Sequence, residues 1–214
     1  MLLSAAEFDS RKAQGQLRIA LIGMSNIGKS YTAKRITKAD GFESYDVDAQ
    51  IQAKLGKTSM GAMADWMGHP FTDGYGERSV EYLRLEAEIS LAASQGKDNL
   101  ILDTTGSVIH IPNEDIISIN SNYLIVYIKA SEADLETLVD RYFKYPKPTI
   151  WGDCYHKVDG KSDLDSLLAC YPNLLTLRAR LYTKFADITI EAADLANPNM
   201  ADEDVLPLMR NYLP

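Results

Sequence analysis

The stretch Ile19 to Tyr31, IALIGMSNIGKSY, is an apolar run that ends in Gly-x-x-x-x-Gly-Lys-Ser. Gly23, Gly28, Lys29 and Ser30 occupy the four fixed positions of a phosphate-binding loop. The motif follows an expected strand and opens an expected helix, which is the context its mechanism needs. Backbone N–H groups at a helix N-terminus turn towards an anion, a lysine neutralises the outer phosphates, and a serine hydroxyl can hold Mg²⁺. The bland alternative is a Gly-rich turn that holds nothing. Asn26 tolerates a left-handed backbone, so the loop can form with a side chain at that position.

Working outward from the loop, short β-rich segments alternate with longer helical ones. Strands are expected at 17–23, 43–47, 99–104, 123–129 and 186–191. Helices are expected at 29–39, 49–55, 60–67, 77–94, 132–142, 164–184 and 202–212. Near-continuous apolar strands separated by helices imply an α/β fold with a parallel sheet covered on both faces and its ligand at the strands' carboxyl ends. Residues 1–16 read as a tail or short amphipathic helix, and 17–214 as a single domain. Two stretches read as excursions, HPFTDGYG from His69 and KYPKPTIWGDCYHKVDGKS from Lys144.

The chain has 214 residues, 46% of them hydrophobic, enough for one substantial core. A net charge of -8 argues against duplex nucleic acid or an anionic membrane as the main partner. No apolar run approaches a membrane span, and Cys154 and Cys170 form neither a disulfide framework nor a metal-site spacing, which fits a reduced cytoplasmic compartment.

Further cues follow in order, and together they resemble the shikimate kinase family of small P-loop metabolite kinases. YDVDAQI is similar to its Asp-x-Asp with Asp46 and Asp48, GERSVE to its Gly-Glu followed by Arg-x-x-Glu with Arg78 and Glu81, and LRARLYTKFADITI to its late arginine motif with Arg178. The resemblance implies a three-layer P-loop NTPase fold, a five-stranded parallel sheet ordered 2-3-1-4-5, and a lid near 142–163. It implies ATP and Mg²⁺, with ATP held by Gly23, Met24, Ser25, Asn26, Ile27, Gly28, Lys29, Ser30 and Tyr31, by Arg141, and by Asn197 and Pro198 near adenine. Ser30, Asp46 and Asp103 would serve the metal. Lys29, Asp48 and Lys147 would be catalytic. Asp48, Arg78, Thr105, Gly106 and Arg178 would bind the acceptor, a small hydroxy acid, with the two arginines on its carboxylate and Glu81 holding Arg78. The protein is expected to be a monomer or weak homodimer.

The chain also departs from the family. Where three glycines follow the third strand, Thr104 and Thr105 stand in the first two positions and only Gly106 remains. Such β-branched side chains are expected to reshape the acceptor pocket and add hydroxyls. Asp103 resembles a Walker-B aspartate. An Arg-Pro pair in the lid is replaced by Lys147-Pro148, a point charge without bidentate geometry. Three functions therefore stay open: shikimate-like phosphotransfer, transfer to gluconate or another sugar acid or polyol, and nucleotide binding without transfer. Other readings are plain structure: Asp48 as a helix cap, Arg78 with Glu81 as an exposed ion pair, and only one of Arg178 and Arg180 turned inward.

Overall fold

The apolar run before the phosphate loop becomes β1 (Arg18–Ile22), buried at the centre of a sheet whose neighbours shield both of its edges. A computed structural model of the chain describes residues 2–93 and 98–214. The remaining strands are β2 (Glu43–Asp46), β3 (Leu100–Asp103), β4 (Leu124–Lys129) and β5 (Ile188–Glu191). All pairings are parallel and the order is β2-β3-β1-β4-β5, as expected. In this register Asp103 lies beside Leu21 on one side and Asp46 on the other, so three strand ends converge on the loop after β1.

Side chains along β1 alternate between faces, as the pleat requires. Ile19 and Leu21 enter one core, Ala20 and Ile22 the other. The first core is closed by α1 (Ala5–Ala13), α2 (Lys29–Asp40), α9 (Ala192–Leu195) and α10 (Val205–Asn211), through Phe8, Ile36, Leu195 and Met209. The second is closed by α3 (Val47–Lys54), α4 (Met60–Met67), α5 (Tyr75–Ala92), α6 (Asn113–Asn122), α7 (Glu132–Lys144) and α8 (Asp163–Phe185). Ile51, Met63, Tyr82, Ile116, Leu138 and Leu174 are their buried representatives. Among the described residues, no helix is long and apolar enough to cross a membrane.

Several boundaries differ from the sequence reading for local reasons. α3 starts at Val47 because the Asp46 carboxylate caps it, accepting from Ala49 N at 2.9 Å. β2 therefore stops at Asp46, and Asp48 lies in the first helical turn rather than on an extended segment. α5 begins at Tyr75, and the expected end at Ser94 lies outside the described residues. α6 was not anticipated: its sequence is rich in Asn and Ser, which disfavour helix interiors, and only Ile116 and Ile119 face the core. The expected helix from Asp202 divides into a 3₁₀ turn, Asp202–Asp204, followed by α10.

The first helix is tied to the last. A capping box between Ser4 and Glu7 starts α1, Phe8 and Leu3 are buried, and Ala5 N donates to Pro214 O at 3.0 Å. Arg210 adds an ion pair to Asp9 at 2.6 Å. Truncating Phe8 leaves a cavity under α1, so Phe8→Ala is expected to lower unfolding free energy by about 3 to 5 kcal/mol in urea titrations. A loss below about 1 kcal/mol would mean that α1 is a detachable element.

Candidate active site

The loop between β1 and α2 has the backbone that its sequence demands. Gly23 sits at φ 148°, where an added Cβ would lie 2.7 Å from Ile128 O, so no side chain fits. Asn26, at φ 65°, is the one left-handed residue other than glycine among the described residues. Gly28 caps α2 without a side-chain hydrogen bond, which leaves the first amides of the helix available to an anion. Lys29 folds back over the loop and donates to Gly23 O and Met24 O, each at 3.0 Å. Its burial depresses its proton affinity, while Asp103 and Asp48 pull the other way. The charge is thus held in a dry place, which favours a strong interaction with a phosphate that replaces the two carbonyls.

Carboxylates gather at the adjoining strand ends. Asp103 is nearly buried, hydrogen-bonded to Ser30, and raised in pKa by burial with Lys29 opposing. Asp46 is its strand neighbour and already caps α3, so one of its oxygens is engaged. Asp48 accepts from the Tyr82 hydroxyl at 3.1 Å and lies 3.7 Å from Lys147. Among the described residues no three His, Cys, Asp or Glu side chains form a closed metal cage. A serine hydroxyl with nearby carboxylates nonetheless fits Mg²⁺, which keeps most of its waters and takes its remaining ligands from phosphate oxygens.

One cleft of about 400 Å³ is lined by Asp48, Thr104, Arg141, Tyr145 and Lys147 together with the phosphate loop and Tyr31, while Asp46 and Asp103 lie outside its lining. Arg141 reaches across from α7 and donates to Asn26 O at 3.3 Å. Beyond it lies a second hollow of about 270 Å³ between Ile27, α7 and α9. Thr137, Leu138, Ala192, Ala193 and Ala196 line it; Asn197 and Pro198 follow α9 just outside that lining.

The wall beyond β3 differs from the sequence reading. Thr104 does not offer its hydroxyl to the cleft: it donates to Leu21 O at 2.7 Å. Thr105 is also turned away. Its hydroxyl bonds Glu86 of α5, the Ser107 hydroxyl bonds the other Glu86 oxygen at 2.6 Å, and Ser107 N donates to Thr105 at 2.9 Å. Glu86 is completely buried, and burial raises its carboxyl to about 7 against the pull of those two hydroxyls. It was missed in the sequence although a signal existed, because an acid shares the apolar stripe Tyr82, Leu85, Glu86, Ile89. Gly106 is packed so closely that a Cβ would meet Ser25 Oγ at 2.5 Å, and its carbonyl accepts from Tyr182.

The two expected acceptor arginines are placed differently. Arg178 is buried on α8, with Nη2 donating to Ile150 O at 2.9 Å and Nε left without a partner, while Arg180 is exposed. Arg78 does not line the cleft. In the first turn of α5 it faces the preceding loop, where Nε donates to Met67 O at 3.0 Å and Nη2 to Asp73 O at 2.9 Å. The ion pairs among the described residues do not join it to Glu81, which is exposed. Carbonyls, not a carboxylate, hold Arg78.

The segment carrying Lys147 is fastened at its middle. The Tyr75 hydroxyl donates to Thr149 O and accepts from Trp151 N, both at 2.9 Å. Trp151 has no exposed surface and packs against Tyr142, Tyr155 and Tyr171. His156 rests 3.6 Å from Cys170 Sγ, a packing contact away from the cleft.

No protein-family model matches the chain. It is 28% identical over 196 residues to the shikimate kinase of Bartonella quintana (strain Toulouse), covering 91% of this chain and 79% of that protein. It is 25% identical over 194 residues to the shikimate kinase of Actinobacillus succinogenes, covering 91% and 95%. Among solved structures, the shikimate kinase from Acinetobacter baumannii in complex with shikimate has the same fold, with a TM-score of 0.64 at 20% identity, covering 94% of this chain and 95% of that one.

Proposed function

We propose that this chain, a divergent relative of the shikimate kinases, transfers the γ-phosphoryl group of ATP to a hydroxyl of a small metabolite. One observation carries the proposal: Lys29, Ser30 with Asp103 bonded behind it, and the Tyr82-held Asp48 meet at a single cleft, lined by Lys29, Ser30 and Asp48 and sized for a nucleotide's phosphates and one small molecule.

In this reading the amides of the loop and Lys29 hold the β- and γ-phosphates, and the hollow between α7 and α9 takes the base. Ser30, with Asp46 and Asp103 behind it, would hold Mg²⁺, which neutralises charge on the phosphates. Asp48 accepts a hydrogen bond from the acceptor hydroxyl and aims its oxygen at phosphorus. Tyr82 fixes the rotamer of Asp48. The bond from the γ-phosphorus to the bridging oxygen breaks, the bond to the acceptor oxygen forms, and the hydroxyl proton passes late to Asp48. Catalysis of this kind rests on alignment and charge neutralisation. Lys147 and Arg141 supply positive charge at the outer oxygens, and the segment 142–163 serves as the lid that keeps water from competing for the phosphoryl group.

The test is a coupled ADP-release assay with ATP and Mg²⁺ over a panel containing shikimate, quinate, gluconate and other alcohols, with a no-acceptor control. Acceptor-dependent release at least tenfold above the control is expected. ATP binding with no acceptor-dependent release would replace this reading with that of a nucleotide-binding regulatory protein.

A further inference from the structure

We infer that Arg35 is a positioning residue for the nucleotide: it ties the wall of the base hollow to the helix that opens at the phosphate loop. This rests on the reading that puts the base between α7 and α9, and it adds what keeps that hollow in register with the phosphates.

The wall needs such a tie. Ala192, Ala193 and Ala196 line the hollow, and methyl groups offer contact but no hydrogen bonds, so their placement decides how well a base fits. They belong to α9, a single helical turn, and to the irregular segment 196–201 that follows it. One turn has too few internal hydrogen bonds to keep its shape unaided. The bonds within the segment are local, such as Ala196 N to Ala192 O at 2.9 Å and Met200 N to Asn197 O at 3.1 Å. They set no distance to the phosphate loop. β5 and the buried side chain of Leu195 hold α9 from the core side.

Arg35 holds the rest from α2. Its guanidinium is buried and its donors fan out over one stretch of chain. Nη1 donates to Leu195 O at 2.7 Å, Nη2 to Met200 O at 2.8 Å and Ala201 O at 2.9 Å, and Nε to the Asp202 carboxylate at 2.9 Å. Leu195 O ends α9, where a carbonyl has no partner within the helix. Asp202 also receives Lys38 of the same helix at 2.8 Å. The guanidinium carbon lies 5.5 Å from the ring centre of Tyr31, which lines the phosphate cleft. One buried cation thus touches the end of the base wall and a residue of the phosphate cleft. A planar fork can serve these acceptors together, and a lysine ammonium cannot.

The experiment measures, by calorimetry, the binding of ATP and of tripolyphosphate, each with Mg²⁺, to the wild type and to Arg35→Lys. Tripolyphosphate has the charged tail without a base, so it reads the phosphate loop alone. The wild type should bind ATP at least about tenfold tighter than tripolyphosphate. Arg35→Lys should lose about tenfold in ATP affinity and less than about threefold in tripolyphosphate affinity, with KM for ATP rising more than kcat falls. Retained tripolyphosphate binding also shows that the variant is folded. If it does not fold, Asp202→Ala takes its place: it removes the one side-chain anchor of Arg35, and a selective loss of ATP affinity of about threefold is expected. Unchanged ATP affinity in the folded variant, or equal losses for both ligands, would overturn this inference and leave phosphotransfer intact. A wild type that binds ATP no tighter than tripolyphosphate would overturn it as well, by taking the base out of the hollow. The selective loss without turnover of any acceptor would uphold it and sink the transfer reading.

Discussion

Lys29→Ala is expected to lower turnover on the order of 10³-fold, the scale seen when one preorganised charge-stabilising donor is removed from an active site. The ammonium lies over Gly23 O and Met24 O, within reach of where phosphates must sit, and among the described residues no other lysine is shown bonding those carbonyls. The same substitution is not expected to harm the fold. Burial makes the folded protein hold the Lys29 proton less tightly than the unfolded chain does, so at neutral pH that charge disfavours folding and its removal does not. Thermal denaturation without nucleotide should therefore give an unchanged or slightly higher Tm. The rise in Tm that ATP and Mg²⁺ produce in the wild type should shrink or vanish. Near-normal turnover in the variant would remove the loop from the mechanism.

Asp48→Asn should cut transfer about 10²- to 10³-fold while changing ATP affinity less than about threefold, as a group that serves the acceptor hydroxyl would. Asparagine preserves the shape and the hydrogen bond from Tyr82, so the loss reports the missing charge. Measuring nucleotide affinity by calorimetry beside turnover separates the two roles. An equal fall in both would assign Asp48 to the metal and leave the acceptor without a base.

The sheet and the phosphate loop were legible because their signals are local. An apolar strand, two glycines with positive φ and a lysine at the head of a helix declare themselves in a few consecutive residues. The acceptor side was less legible because it depends on how distant helices are phased. Arg78 carried the right letters, but α5 starts two residues earlier than its pattern implied, and the first turn faces a loop of carbonyls. Thr104 and Thr105 were visible as departures, yet where their hydroxyls go depends on Leu21 and Glu86. Arg178 and Arg180 obeyed the simple rule that residues two apart on a helix diverge. The alanines of the second hollow carry no chemical label in a sequence; only packing picks them out.

The Tyr75-fastened segment has a practical consequence. The chain contains two tryptophans, and one of them, Trp151, is sealed at the root of the strand of chain that bears Lys147. Any movement of that segment towards a nucleotide would disturb the ring's dry surroundings and shift its emission, whereas Trp66 sits apart on α4 beside Lys57. With Trp66 replaced by phenylalanine, the molecule holds its own fluorescent gauge. Stopped-flow traces could then time closure separately from bond-making, without a label and without knowing the acceptor.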